Sequence, residues 1–175
     1  MPPRDDPIEQ HTISVLVANE PGVLARVIGL FSGRGYNIES LTVAEVDRVN
    51  AQSRITLVTS GTPMIIEQIK AQLDRLVPVH TVNDLTMEGP FVERELALIK
   101  VNSTGERRIE ALRIADIFRA RVVDSTTESF TFEITGSPEK IDAFIGLMKP
   151  LGFNAISRTG VAAIARGEGG VLGTD

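Results

Sequence analysis

The sequence contains no cysteine and no tryptophan, and aromatic residues make up only 5% of it. Without cysteine the chain forms no disulfide, uses no thiolate nucleophile and holds no cysteine-ligated zinc. The scarcity of aromatic side chains disfavours a base-stacking surface for nucleic acid. The net charge of −5, with Arg107-Arg108 as the longest basic cluster, disfavours nucleic-acid binding further.

Long apolar runs are also missing. No stretch approaches the roughly 20 apolar residues that a membrane-spanning helix needs. Residues 1–10 are polar and proline-rich and have no apolar signal core. We therefore expect a cytoplasmic protein that does not enter a membrane, with residues 1–10 and 168–175 as loose tails.

Catalytic and metal-binding signatures are absent from the sequence. His11 and His80 have no nucleophile or metal ligand at a functional spacing, so ordinary surface or strand roles are expected for both. Glu93, Glu95 and Glu106 could act as paired acids, but nothing in the pattern brings them together. We expect no catalytic residue, no metal site and no cofactor bound by this chain.

The order of secondary structure is predicted twice over. In the first half, strands, helices and turns alternate as strand, helix, strand, strand, helix, strand, at residues 12–18, 21–35, 36–46, 53–60, 63–77 and 79–86. Residues 87–93 are predicted to be a linker. The second half repeats the order, with strands at 96–101, 121–125, 130–135 and 153–157. Its first helix follows a predicted capping box at Ser103–Glu106, and its second helix follows a predicted cap at Ser137-Pro138.

The helix patterns also predict buried faces. In the first helix, Pro21 is predicted at the first helical position and Asn19 as a cap. The residues expected to face the core are Leu24, Val27, Ile28 and Phe31 in the first helix, Ile66, Ile69, Leu73 and Leu76 in the second, Ala111, Leu112, Ala115 and Phe118 in the third, and Ile141, Phe144, Ile145 and Met148 in the fourth. A second stripe of the first helix consists of Gly22, Arg26, Gly29 and Gly33.

These patterns predict an α+β protein with two tandem ferredoxin-like β-α-β-β-α-β domains, at residues 11–86 and 94–167. Right-handed crossovers give each a four-stranded antiparallel sheet in the order 4-1-3-2, with both helices on one face. The second and fourth strands are then edges. Because so small a domain buries little surface, a homodimer formed through a sheet edge is expected.

The turn at Pro21-Gly22 is the strongest candidate binding site. Backbone N–H groups at a helix N-terminus attract a carboxylate, and Gly22 lets a ligand approach the backbone closely. Asn37 is predicted to open an edge strand, where its amide can both donate and accept. In a dimer joined through that strand, Asn37 of one chain would face the Asn19–Gly22 turn of the other. The simpler interpretation is that these residues only cap, turn and start a strand.

Residues 14–24, 26–32 and 34–44 resemble the ACT domain of the small, regulatory subunit of acetohydroxyacid synthase (acetolactate synthase). The run 33–41, Gly-Arg-Gly-Tyr-Asn-Ile-Glu-Ser-Leu, resembles this family rather than ACT domains at large. Residues 92–96 and 158–161 resemble it as well. The similarity extends over about residues 11–167, so the resemblance implies that the first domain is an ACT domain.

The resemblance implies a function and a set of site residues. Such subunits dimerise, bind the end product valine between paired ACT domains and control a separate catalytic large subunit, which uses thiamine diphosphate, magnesium and FAD. The matching valine-site positions in this sequence are Asn19, Pro21, Gly22, Val23, Leu24, Asn37, Ile38 and Ala44. The sequence does not separate valine from leucine or isoleucine.

Other functions stay open at this point. One is a self-contained enzyme on a ferredoxin-like scaffold, which would turn over pyruvate alone although no catalytic residues favour it. Another is a different ACT-type amino-acid-sensing regulator. A transcriptional regulator of this kind would need a helix-turn-helix and a basic face, and the sequence shows neither.

Overall fold

The computed structural model describes residues 6–169. The elements follow in the order β1 (Glu9–Ala18), α1 (Val23–Arg34), β2 (Ser40–Asp47), β3 (Gln52–Gly61), α2 (Pro63–Asp74), β4 (Val79–Asp84), α3 (Leu85–Glu88), β5 (Phe91–Asn102), α4 (Gly105–Ile117), β6 (Arg121–Ser125), β7 (Ser129–Gly136), α5 (Pro138–Met148), β8 (Phe153–Arg158) and β9 (Ala162–Ala165). A 3-10 turn, Lys149–Leu151, follows α5.

The chain divides into two compact units. Among the described residues, one unit comprises residues 6–92 together with residues 161–169, and the other comprises Glu93–Gly160. The predicted second domain extended to residue 167, whereas residues 161–169 join the first unit. The cause is a set of hydrogen bonds: the Val161 N–H donates to Ser40 Oγ over 2.9 Å, and the Val161 carbonyl accepts from Thr42 Oγ1 over 2.7 Å.

The first unit has the predicted topology. Its sheet has the order β2-β3-β1-β4 and all pairings are antiparallel, so β2 and β4 are the edges. The core lies between this sheet and the helices α1 and α2. Its fully buried members include Ile13, Val15, Val27, Phe31, Ile55, Leu57, Ile66, Ile69 and Leu73.

The second unit repeats this topology with its own core. Its four main strands have the order β6-β7-β5-β8, and β9 pairs in addition with β5, which begins in the first unit. The core is formed by β5, β7, α4 and α5, with Phe132 and Phe144 in edge-to-face contact at 6.0 Å. The prediction of an α+β protein with two β-α-β-β-α-β units is therefore confirmed.

Matching local signals start the second helix of each unit. Thr62 caps α2 by accepting from the Ile65 N–H, and Ser137 caps α5 by accepting from the Lys140 N–H. In both helices a proline occupies the first turn, where a missing N–H costs no hydrogen bond. These two predicted helix starts are confirmed.

Several predicted details are wrong. The segment 87–93 is not an open linker, because α3 covers its beginning and β5 starts at Phe91. The predicted capping box at Ser103 does not form: Thr104 is the N-cap of α4 and makes no side-chain cap, while Ser103 is buried and its Oγ has no partner among the described residues. Leu112 is 40% exposed, and Ile114 takes its place in the core.

Candidate functional site

The turn between β1 and α1 differs from its prediction. The helix begins at Val23 rather than Pro21, and its N-cap is Gly22, with φ 85° and ψ −5°. The Val23 N–H donates to the Glu20 carbonyl over 3.4 Å, so a turn precedes the helix and Pro21 lies within that turn. A left-handed N-cap suits glycine, because a side chain in this conformation is strained.

The late start also sets the phase of α1. Val23, Val27 and Phe31 face the core at i, i+4 and i+8, and Val23 is only 5% exposed. Leu24 and Ile28, both predicted to be buried, are 38% and 36% exposed. Of the predicted site residues in this helix, Leu24 is therefore open to a ligand, whereas Val23 is held in the core.

Unused N–H donors converge at this turn. The amides of Gly22, Leu24 and Ala25 donate to no backbone acceptor among the described residues. A Cβ built on Gly22 would meet nothing within 4 Å. Open space in front of free donors at a helix N-terminus is suited to a carboxylate group.

Asn19 does not cap the helix, so that prediction is wrong. Its Nδ2 donates to Glu45 Oε2 in β2 over 2.7 Å, and its backbone N–H donates to the Ala51 carbonyl over 2.7 Å. Arg48 Nε donates to the other oxygen of Glu45 over 3.1 Å. The side chain is thus drawn across to the end of β2, which leaves Asn19 Oδ1 as an acceptor without a donor among residues 6–169.

Asn37 lies three residues before β2 rather than at its first position. The reason is the exit of α1: the Tyr36 N–H donates to the Phe31 carbonyl over 3.0 Å, and the two rings meet edge to face at 6.0 Å. The exposed Asn37 side chain makes no hydrogen bond within the described chain, while its carbonyl accepts from Thr59 Oγ1 over 2.6 Å. Ile38 is partly buried against the core.

The structure separates the two asparagines within one chain. Asn19 contacts Glu45 near the end of β2, next to the exposed Ala44, whereas Asn37 precedes the start of the same strand. At about 3.3 Å per residue, the strand places these two sites roughly 25 Å apart. Within one chain, the Asn19–Gly22 turn therefore lies near the Glu45 end of β2, and Asn37 and Ile38 precede its other end. Ala44 has the opposite orientation to the core residue Leu41, so its side chain faces away from α1.

A second copy would bring these two ends together. β2 pairs only with β3 among the described strands, so its other edge is open. Antiparallel pairing of two β2 strands about a two-fold axis near Leu41 would place Asn37 of one chain opposite Glu45 of the other. Sequence reasoning missed Glu45 and Arg48, because only the fold brings them to Asn19.

A second polar cluster is buried elsewhere in the first unit. His11, 4% exposed, places Nδ1 2.7 Å from Asp84 Oδ2 and Nε2 2.9 Å from Glu9 Oε2. Lys70 Nζ lies 3.2 Å from the same Asp84 oxygen. Burial lowers the pKa of His11, but the hydrogen bonds and charges of Glu9 and Asp84 outweigh it, so the pKa is raised.

The acidic residues considered as candidates in the sequence do not form a shared acidic site. Glu95 is 5% exposed, and Arg158 binds both of its carboxylate oxygens, at 2.5 and 2.8 Å. Burial and the charge of Glu139 raise the pKa of Glu93. Neither Glu93 nor Glu95 forms a hydrogen bond or ion pair with Glu106 within residues 6–169. No group of three or more metal-ligating side chains occurs within residues 6–169.

Comparison with known proteins places this geometry in a family. Residues 13–81 match the model described as "AHAS small subunit-like ACT domain", and residues 94–167 match "Small subunit of acetolactate synthase". A probable acetolactate synthase small subunit from Archaeoglobus fulgidus is 48% identical over 159 residues, which cover 91% of this chain and 98% of that protein. The chain belongs to the acetolactate synthase small-subunit family.

Further members of the family agree over the same length. The acetolactate synthase small subunit from Aquifex aeolicus is 47% identical over 164 residues, covering 93% of this chain and 84% of that protein. The crystal structure of the acetolactate synthase small subunit from Thermotoga maritima superposes with a TM-score of 0.81 at 38% identity, over 91% of this chain and 99% of that one. The resemblance inferred from the sequence is confirmed.

Membership of the family sets the role of the chain. It is a regulatory small subunit with an ACT domain, and a small subunit implies a catalytic large subunit as its partner. Each helix within residues 6–169 is too short or too polar to cross a bilayer. The assignment of individual residues to a ligand stays a prediction.

Proposed function

We propose that this regulatory subunit senses a branched-chain amino acid, valine, at two sites formed between two copies of its ACT domain. The observation that carries this proposal is the placement of the candidate residues at opposite ends of the edge strand β2. One end offers the free amides and the Asn19 oxygen, and the other offers the Asn37 amide and Ile38. Antiparallel pairing of two β2 strands supplies both to each site.

The chemistry of each half fits one part of the ligand. The free amides of Gly22, Leu24 and Ala25 donate to the valine carboxylate. The ammonium group donates to amide oxygens: Asn19 Oδ1, which the Glu45 contact leaves without a donor, and the partner's Asn37 side chain. Leu24 and Ile38 provide the apolar wall, with Pro21 and Val23 fixing the turn beneath it. Ala44 faces the other side of the sheet and is not proposed to contact the ligand.

The affinity expected for so small a ligand is moderate. At about 0.8 kcal/mol per non-hydrogen atom, valine gains about 6 kcal/mol, which corresponds to a Kd of roughly 10 to 50 μM. Because the ligand bridges two chains, it stabilises one arrangement of the dimer. It then changes the catalytic large subunit only through its difference in affinity between two states, of about 1 to 3 kcal/mol.

The partner supplies the reaction chemistry. We propose that thiamine diphosphate, magnesium and FAD are bound by the catalytic large subunit and that this chain contributes no catalytic residue. Purified alone, the chain should then not turn over pyruvate. Turnover by the isolated chain would instead identify a self-contained enzyme.

Isothermal titration calorimetry of the purified chain with valine tests the site. Gly22→Asp adds a carboxylate in front of the free amides and strains the left-handed turn, and both effects should abolish binding. Its matched control is Gly29→Asp, which adds the same charge on the same helix, also where a side chain meets nothing within 4 Å. Asn37→Ala should abolish binding as well, whereas the exposed Asn154 in the second unit gives the control Asn154→Ala.

Three outcomes decide between interpretations. The site is supported if Gly22→Asp and Asn37→Ala lose valine binding, both controls keep it, and the circular dichroism spectra are unchanged. Normal binding in both variants contradicts it. Titration with leucine and isoleucine identifies the effector, since tighter binding of either one would replace valine in the proposal.

A further inference from the structure

A groove runs between the outer surfaces of α1 and α2 in the first unit. Its volume is about 460 Å³, and it is lined by Arg26, Leu30, Arg34, Gln72, Arg75 and Leu76. The three residues from α1 follow one another at i, i+4 and i+8, so they form a single stripe on that helix. We call this feature the arginine groove.

The three guanidinium groups of the groove have no partner among the described residues. The side chains of Arg26, Arg34 and Arg75 form no ion pair or hydrogen bond with residues 6–169. All three residues are exposed. Other arginine side chains form ion pairs, as Arg158 does with Glu95 and Arg48 with Glu45. Three unpaired cations thus converge in a chain whose net charge is −5.

The floor of the groove is apolar and contains one unused acceptor. Leu30 and Leu76 are partly buried against the core and line the groove between the arginines. Gln72 Oε1 is buried without a hydrogen-bond donor within residues 6–169, while its Nε2 donates to the Tyr36 hydroxyl at 3.5 Å. A complementary ligand therefore carries carboxylates, an apolar group and a donor.

The spacing of the charges favours an extended ligand. Arg26 and Arg34 are two turns apart on α1, or about 12 Å along its axis. A ligand that follows this stripe of α1 would contact both arginines along its length. A peptide segment presents carboxylates at such intervals, together with apolar side chains and backbone N–H donors.

We propose that the arginine groove docks an acidic segment of the catalytic large subunit. This inference rests on the proposed function, since it takes the holoenzyme partner as the occupant, and it is supported by the three exposed arginine charges of the groove, which would be complementary to an acidic segment. The groove and the proposed valine site share α1: the Arg26 N–H donates to the Gly22 carbonyl over 3.1 Å. A change at Gly22 is therefore one helical turn from the docking surface.

Charge reversal tests the proposal in the reconstituted holoenzyme. The triple variant Arg26→Glu/Arg34→Glu/Arg75→Glu should bind the purified catalytic large subunit at least about tenfold more weakly, with a smaller salt dependence. Arg107→Glu is the control for each single reversal, since it reverses an exposed helical arginine in the second unit that has no partner among residues 6–169. It should bind as the wild type does.

A second variant separates folding from charge. Arg26→Lys/Arg34→Lys/Arg75→Lys keeps the charges and should retain most of the affinity, and the single reversals should each weaken binding in part. Wild-type affinity in the triple reversal, with an unchanged circular dichroism spectrum, overturns the proposal. The triple reversal could instead lose self-association while its affinity for the large subunit is unchanged. The groove would then be an interface between copies of this chain, and the proposal would be wrong.

Calorimetry distinguishes this proposal from the proposed function. The triple reversal should still bind valine, because the three arginines lie outside the valine site. If the triple reversal binds both valine and the large subunit as the wild type does, the docking proposal is wrong and the proposed valine site is unaffected. Absence of valine binding in the wild type rejects the sensor function, whatever the groove binds.

Discussion

Asn19 Nδ2 donates a hydrogen bond to Glu45 Oε2 over 2.7 Å, and this contact fixes the turn before α1 to the end of β2. It consumes the donor side of the amide and turns the acceptor side outward. The same contact shows why Asn19 and Asn37 cannot meet in one chain, since they lie at opposite ends of β2. Glu45 is therefore a positioning residue for the proposed valine site.

Glu45 does not contact valine in the proposed site, but removing its carboxylate should still weaken valine binding. In Glu45→Ala, Asn19 loses its partner and can rotate, so we expect about a 5- to 20-fold rise in Kd, from the loss of one charge-assisted hydrogen bond. Calorimetry measures the change. Glu110→Ala, which removes a partly exposed glutamate paired with Arg113 in α4, is the control, and equal affinities for the two variants would contradict the positioning role.

Local signals in the sequence explain which parts of the fold could be predicted. The Thr62-Pro63 and Ser137-Pro138 pairs start helices through contacts within one turn, and the edge positions of β2 and β4 follow from right-handed crossovers. Such features need no distant partner. They were predicted correctly in both units.

Features that depend on distant residues could not be predicted in the same way. The buried face of α1 was predicted in part: Val27 and Phe31 are buried as expected, but Val23 takes the place of Leu24 and Ile28. Both sets fit a helical stripe, and only packing against the sheet distinguishes them. The return of Val161 to Ser40 and Thr42 joins residues more than a hundred positions apart. Likewise, the residues of the arginine groove are scattered in sequence and converge only through packing of α1 on α2.

Gly152 should be the least replaceable glycine of the second unit. Its φ is 101°, and a Cβ at this position would lie 1.9 Å from the Asn102 carbonyl oxygen. The two backbones are held together there, because the Asn102 N–H donates to the Gly152 carbonyl over 2.8 Å. Gly152→Ala should therefore lower the free energy of unfolding by at least about 2 kcal/mol.

Denaturant unfolding followed by circular dichroism measures this loss. Gly146 provides the control, since it lies in α5 and a Cβ there meets nothing within 4 Å. Gly146→Ala should raise the free energy of unfolding by about 0.5 to 1 kcal/mol. A Gly152→Ala protein as stable as the wild type would show that the close approach is relieved at little cost.

Arg158 should contribute to stability through its geometry as well as its charge. It binds Glu95 with two hydrogen bonds and Asp142 with a third, at 2.7 Å. The hydrogen bonds to Glu95 are the main cause of its raised pKa, opposed by burial. Because Glu95 is buried, Arg158→Ala should cost about 3 kcal/mol, and Arg158→Lys should recover only part of this, since lysine lacks the planar fork.

A double-mutant cycle checks this interpretation. Glu95→Met/Arg158→Met removes both charges and should be closer to the wild type in stability than either single substitution. Additive losses in the cycle would mean that the two side chains contribute independently.

His11 should make stability depend on pH. Its pKa is raised above 6.5 in the folded chain, so protonated His11 stabilises the fold fully below pH 6.5. That contribution is lost as the pH rises through the raised pKa. The free energy of unfolding should therefore fall as the pH rises above 6.5, and His11→Asn should flatten the dependence.

The second histidine gives the control for this measurement. His80 is exposed, and His80→Asn should leave the pH dependence unchanged. A wild-type protein whose stability increases as the pH rises above 6.5, or an unchanged slope in His11→Asn, would contradict the assignment to the Glu9–His11–Asp84 cluster.

Mixed dimers test most directly whether each valine site is built from two chains. Gly22→Asp and Asn37→Ala, each inactive alone, are combined after mass spectrometry has verified that the chains exchange. Heterodimers then contain one site with both residues intact, so a 1:1 mixture should recover about a quarter of the wild-type binding capacity in calorimetry. If the mixture binds no valine although heterodimers have formed, Gly22 and Asn37 do not complete one another across two chains, and the central claim is wrong.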